Sequence, residues 1–342
     1  MSEDNNGQAS QAQKEGNLVV YASLRGVVQD AVKAFRRKYE DLNVHVSYLS
    51  SHPVPIYEKI KAEVNAGIPT CDVAIMPQYM LMLMAKEDLL RQYDSPELKV
   101  FPPHLYDANA TWAAMAVEPT GIVYNPTKVK VEDLPTTIDE FTDAKWAGQT
   151  AIQSVISFPE GKMGFYYLIA LKRVLGENRW TEVIQNLANN VKPYTYECLL
   201  YMTHNMGLGK HTFGLPATLR KQGMGDDYAH MREGGVKPLI LKDIPPAAIA
   251  RTAGTTKHGK NKAAGELFFD FIMSREWQEE MGKNLDGMVP ARPGTVTEYW
   301  VSQPLDKGFI HYPNGGELEK EREYIETFRS LGLGDNLPKG IG

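Results

Sequence analysis

The chain has 342 residues, enough for two domains of ordinary size, and its 43% hydrophobic and 23% charged residues are the composition of a globular protein. A formal net charge of -5 leaves no basic excess to displace counterions from a phosphate backbone, so the composition argues against a nucleic-acid partner. No apolar run is long enough to span a membrane as a helix, and two cysteines, Cys71 and Cys198, are too few for a disulfide framework or a cysteine zinc site.

Residues 1–16 are polar and lack an apolar signal-like core, which predicts a disordered polar tether. Leu18–Ala22 reads as a buried strand, followed by a turn at Ser23–Gly26. Val27, Val28, Ala31, Val32, Phe35 and Tyr39 recur at helical spacing up to a basic cluster. Val44–Leu49 is a second strand, a helix follows with Ile56, Ile60 and Val64 on one face, and Asp72–Met76 is a third strand. This β-α-β-α-β order predicts a parallel sheet with right-handed crossovers. Trp112–Glu118 and Thr120–Asn125 read as two extended segments around Pro119, and Thr137–Glu140 fits a capping box. A second α/β unit then takes strands at 149–153, 191–194, 211–215 and 236–241, with helices at 161–175 and around Trp180–Leu187. Ala247–Thr252 is a further strand, and helices are expected from Ala264, from Arg275 to Lys283, and from Glu317 to Leu331.

Motifs for chemistry are scarce. Gly254–Asn261 has the glycine spacing and lysine of a phosphate-binding loop, but Asn261 stands where the Mg²⁺-holding hydroxyl belongs. It is expected to be a polar loop in which Asn261 caps the next helix. No HExxH, CxxC, GxGxxG or GxSxG pattern occurs, the eight histidines do not cluster at ligand spacing, and no carboxylate pair suits acid–base work. Catalysis, a cofactor and a resident metal are therefore not expected. The run Met76, Met80, Met82, Met84 reads as core.

A series of segments in fixed order resembles the bacterial extracellular solute-binding proteins of the ferric-iron-binding type. These are Leu18–Ser23, Lys61–Glu63 before Cys71–Val73, Leu89–Tyr93 with Ser95–Glu97, Gly121–Asn125, Phe141 with Lys145–Trp146 and Gly148–Gln149, Lys260–Ala264 with Phe268–Ser274, and Met288–Pro293. The resemblance implies a two-lobed α/β type II periplasmic-binding-protein fold. Lobe one takes 17–117 plus 251–300 and lobe two 125–243. Hinge strands cross at 118–124 and 244–250, and a helical tail covers 301–342. It also implies a small-molecule ligand held in the interlobe cleft by hinge closure, ABC permease subunits as partners, and a monomer outside the cytoplasm. The polar tether would then follow a lipidated N-terminus, the signal sequence being absent from the chain.

The tandem tyrosines of ferric binders are missing from Phe213–Thr218, where the family places them, and no acidic or histidine ligand follows Ser23 or Met76. Hard Fe³⁺ favours anionic oxygen donors. The expected cargo is instead a small organic anion: a phosphate ester, phosphonate or carboxylate. Ferric transport is the alternative, and a cleft enzyme or a ligand-sensing domain a second one. Loops after parallel strands and helix N-termini suit an anion. The expected ligand contacts are Ser23 and Arg25 after strand one, Ser50, Ser51 and His52 after strand two, and Gln78 after strand three. In the second unit they are Thr120, Gly161, Lys162, Tyr194, Thr195, Tyr196 and Thr218. The tyrosines equally suit a flat ring or plain packing.

Overall fold

The computed structural model describes residues 3–23, 25–156, 162–219, 236–284, 288–295, 310–311, 317, 319–334 and 337–340. The chain forms two compact units, Met1–Val117 with Ala250–Glu298, and Glu118–Ile249 with Tyr299–Gly342. It passes from one to the other within strands β4 (Ala113–Tyr124) and β9 (Ala247–Thr255).

Unit one is built on three parallel strands, β1 (Asn17–Ala22), β2 (His45–Ser50) and β3 (Val73–Pro77), in the order β2-β1-β3. Helices α2 (Arg25–Lys38) and α3 (Pro53–Asn65) make the two crossovers. The sequence pattern predicts this order, because short apolar runs alternate with amphipathic stretches long enough for a crossover. β9 runs antiparallel to β3, with Val73 opposite Thr255 and Pro77 opposite Arg251. Helix α4 (Gln78–Lys86) buries Met80 and Met84, and Met76 is buried in β3, so the methionine run is largely core. Phe35 of α2 meets Phe268 and Phe271 of the helix Lys262–Met273 edge-on, with ring centroids 5.2 and 5.6 Å apart.

Cys71 is a buried free thiol. Its neighbour Asp72 is the polar centre of unit one. One carboxylate oxygen accepts the backbone N–H of Asn261 at 2.7 Å; the other accepts Val19 N–H at 2.8 Å and the Asn261 side-chain amide at 3.0 Å. Gly259 lies so close that a Cβ there would stand 2.7 Å from Asp72 Cα. The loop that mimics a phosphate-binding motif is therefore the wrapping around Asp72. Asn261 does occupy the N-cap position, but its side chain is spent on Asp72 and makes no cap hydrogen bond.

The expected tether is the first difference from the sequence reading. Glu3–Glu15 form helix α1, with Ala12 fully buried. The composition cannot bury a core of its own, but it can borrow one: α1 lies along the helix Lys262–Met273, and that contact supplies what the segment lacks.

In unit two, β5 (Thr150–Gln153) pairs in parallel with both β6 (Tyr194–Tyr196) and β7 (Phe213–Thr218). The second half of β4 runs antiparallel to β7, with Thr120 opposite Thr218, and to β8 (Lys237–Leu239). β4 is one strand where two segments are expected. Pro119 has no N–H to give to the ladder, but its carbonyl accepts from Leu219 N–H at 2.9 Å, so the strand continues through it. Helix α5 (Ile138–Phe141) starts at Thr137, whose side chain accepts the Glu140 N–H. Helix α6 (Met163–Asn186) breaks at Gly176, φ 72°, and the two expected helices are its two arms. Trp180 fastens them, donating from its indole N–H to the Leu168 carbonyl at 2.6 Å. Helix α7 (Leu199–Gly207) leads into β7. The remaining helices are α8 (Lys262–Met273) and α9 (Arg275–Asn284) of unit one and α10 (Glu321–Ser330) of unit two. Rather than a separate tail, α10 completes the second core: Phe328 packs edge-on to Phe165 at 5.9 Å and tilted on Trp180 at 5.8 Å. No helix of the described residues is long and apolar enough to cross a membrane.

Candidate functional site

In unit one the expected contacts lie along the carboxyl ends of β1, β2 and β3. Parallel strands point all their C-terminal ends the same way, and each crossover helix begins there, so backbone N–H groups and helix N-termini collect along one edge. Ser23 leaves β1 and is tied to β3 by its N–H, which donates to the Ile75 carbonyl at 2.9 Å. Its hydroxyl is buried and has no hydrogen-bond partner among the described residues. Ser50 closes β2 and is half-buried, while Ser51 and His52 are exposed; the Ser51 N–H donates to the Ala22 carbonyl at 3.2 Å. Gln78, half-buried, opens α4. Arg25 opens α2, and its side chain lies outside the described residues.

A residue not singled out from the sequence joins this edge. Arg251 of β9 stands opposite Pro77, the last residue of β3, and is only 8% exposed. The readable signal is a lone cation inside the apolar run Ala247–Thr255, since a charge is retained in a buried strand only where something compensates it.

In unit two the edge is formed by the ends of β5, β6 and β7 with β4 beside them. Thr120 is fully buried in β4 opposite half-buried Thr218, whose hydroxyl donates to Glu118 at 3.1 Å. Glu118 is 1% exposed, the counterpart of Arg251: a single carboxylate inside the apolar run from Trp112 to Tyr124. Gln153 ends β5 and accepts the Gly164 N–H, 2.9 Å, at the start of α6. Lys162 stands at the N-cap position of the same helix without capping it, and its ammonium donates to Glu321; Gly161 lies outside the described residues. A small apolar hollow lined by Gly121, Tyr167, Leu219, Leu239 and Pro246 adjoins Thr120 and Thr218 through their chain neighbours.

The tyrosines are placed differently from the rest. The Tyr196 hydroxyl is 2.6 Å from Nε2 of buried His211, and the Tyr194 ring lies 5.0 Å from the same imidazole. Burial, with Lys210 and Lys128 nearby, pushes the His211 pKa down to about 4, so the ring is neutral. Thr195 is hydrogen-bonded through its N–H to the Pro338 carbonyl and through its carbonyl to Gly340 N–H, each 2.8 Å. Gly340 lies against the Tyr196 ring so closely that any side chain would enter it. These three residues thus form a sealed sheet edge. Nothing in the sequence near Tyr196 indicates this, because His211 and Gly340 are distant in the chain.

Taken together, each unit offers hydroxyls and amides near strand ends with a buried charge from a mid-strand position beside them, Arg251 in unit one and Glu118 in unit two. Among the described residues, no group of three or more His, Cys, Asp or Glu side chains could hold a metal ion.

The chain is similar in fold to solved structures of solute-binding proteins. Iron-bound HitA from Pseudomonas aeruginosa matches with a TM-score of 0.70 at 17% identity, over 92% of this chain and 99% of that one. The substrate-binding protein of an ABC transporter from Agrobacterium tumefaciens matches at 0.73 and 19%, over 92% and 94%. AfuA from Actinobacillus pleuropneumoniae, with exogenous fructose-6-phosphate bound, matches at 0.66 and 21%, over 93% and 98%. No curated protein sequence matches. The family model of bacterial extracellular solute-binding proteins matches residues 69–299, and the chain belongs to that family, with the type II periplasmic-binding fold.

Proposed function

We propose that this chain is the extracytoplasmic binding component of an ABC importer and that its cargo is a small organic anion: a phosphate ester, a phosphonate or a carboxylate. The observation that carries the reading is the Ser23 hydroxyl, buried and unpartnered among the described residues at the carboxyl end of β1, where α2 begins. A hydroxyl and helix-start amides at one strand end suit an anion's oxygens. Arg251 at the same edge adds a planar cation able to hold a phosphate or carboxylate by two hydrogen bonds. Ser50, Ser51, His52 and Gln78, with Thr120, Thr218 and Lys162 in unit two, supply the further contacts. Binding closes a hinge at 118–124 and 244–250, the protein acts as a monomer, and a membrane permease is its partner. The Agrobacterium relative is described as part of an ABC transporter, and AfuA was solved with a sugar phosphate, which supports the class of cargo.

Ferric transport is the second reading, favoured by the iron-bound relative HitA. It fits these residues less well, since Tyr196 is committed to His211 and Tyr194 packs on the same ring. Thermal-shift and calorimetric titration with fructose 6-phosphate, inorganic phosphate and ferric citrate separates the two. A bound anion at 100 times its Kd stabilises the fold by roughly 2.7 kcal/mol. A visible tyrosinate-to-iron absorption band with no response to the phosphates would overturn the anion reading, and conversion of the added ligand would overturn the binding-protein reading.

A further inference from the structure

We propose that helix α1 is a releasable clasp: its last turn is fixed to unit one, and the rest undocks from α8 without unfolding the unit beneath. This inference is independent of what the protein carries. The fixed end is built by Glu15, whose two carboxylate oxygens accept the N–H groups of Ala263 at 3.2 Å and Ala264 at 2.9 Å. Those are first-turn amides of α8, which has no cap of its own because the Asn261 side chain is spent on Asp72. A carboxylate at that position satisfies two orphan donors and faces the positive end of the helix. Gly16 secures the same end, accepting His45 N–H at 2.9 Å as β1 begins.

The preceding residues are held by far less. Among the side chains described from 7 to 15, only Ala12 is buried. Gln8 donates to the Tyr93 hydroxyl at 3.0 Å, with Tyr93 in turn donating to Asp270 at 2.7 Å, and the remaining bonds are long: Gln8 to Glu266 at 3.5 Å and Gln13 to the Asp41 carbonyl at 3.4 Å. The segment carries Asp4, Asn5, Asn6, Gly7 and Ser10, all poor helix formers. A helix this short is marginal in water even with good formers, so α1 exists only while docked. Docked, its 13 residues span about 20 Å; with the last turn held and the rest released and extended, they reach up to about 37 Å. The clasp therefore gives Glu3 two reaches from unit one.

Hydrogen exchange read by mass spectrometry on the full chain tests this. The expected result is exchange in peptides within 3–13 at least about 100-fold faster than in 264–273. In Ala12→Asp, and more mildly in Gln8→Ala, exchange in 3–13 approaches that of a free chain while α8 stays protected. Glu15→Gln instead accelerates the first turn of α8 as well. The proposal is overturned if α1 and α8 exchange together as one cooperative unit in the wild-type chain, or if Gln8→Ala accelerates both equally.

Discussion

Replacing Asp72 by alanine is the most direct test of the packing argument for unit one. The carboxylate is 3% exposed and accepts three hydrogen bonds, from Val19 N–H, Asn261 N–H and the Asn261 side chain. Alanine leaves three buried donors without an acceptor, at about 1–3 kcal/mol each. Burial also opposes the charge of Asp72: it is the largest influence on this carboxyl and, against the three hydrogen bonds, raises its pKa. The low end of the range therefore applies, and the expected loss is about 3 kcal/mol for Asp72→Ala. Asp72→Asn keeps one accepting oxygen and should lose about 1–2 kcal/mol. Urea titration gives the totals. Exchange in peptides covering Val19 and Asn261 should accelerate on the order of 100-fold in the alanine variant, since 1.4 kcal/mol is a factor of ten. A loss below about 1 kcal/mol, or equal losses for the two variants, would refute the assignment of Asp72 as the polar centre of unit one.

Two buried groups should give opposite pH dependences. Burial raises Asp270 from 3.8 to about 6, so the folded chain holds a proton the unfolded chain has released, and its contribution to stability falls as pH rises through that window. Burial lowers His211 from 6.5 to about 4, so the unfolded chain binds the proton first and stability falls as pH drops from 6.5 towards 4. Denaturant titrations at several pH values should show Asp270→Asn gaining on the wild type from pH 4 to 6, and His211→Gln gaining from pH 6.5 down to 4. Each difference should change by up to about 1.4 kcal/mol per pH unit, and parallel curves would contradict the reasoning. Tyr196→Phe removes the partner of His211 Nε2 and should cost about 1–2 kcal/mol in unfolding, read by urea titration; an unchanged midpoint would contradict the role given to that contact. Gly164→Ala places a methyl into the Gln153 carbonyl where α6 meets β5, and should lower the melting temperature by at least about 4 °C in calorimetry.

The elements of unit one were legible because they follow from local periodicity: an apolar run, an amphipathic stretch, another run. The loop Gly254–Asn261 reads in the sequence as a polar loop that caps the next helix, but the Asn261 side chain goes to Asp72, 189 residues away, instead of to the helix start. Helix α1 could not be read from composition, since its helicity comes from α8 and from Glu15 meeting an uncapped helix start. Ser23, Ser50 and Gln78 could be placed, because strand ends are set by the same periodicity as the strands. Tyr194 and Tyr196 could not be assigned, because the imidazole and the glycine that enclose them come from separate parts of the chain. Glu118 and Arg251 stand out in the sequence as lone charges in apolar runs, a signal separate from the loop positions that strand ends supply.

The segment Pro338–Gly340 has a consequence beyond its few hydrogen bonds. β6 ends the strand order of unit two, and an open strand edge is a template for a second molecule. By occupying the N–H and carbonyl of Thr195, this segment denies that edge to neighbouring copies. A proteolytic cut just before Pro338 should free the Thr195 N–H and carbonyl to pair with a second copy, without touching a residue proposed to bind the ligand.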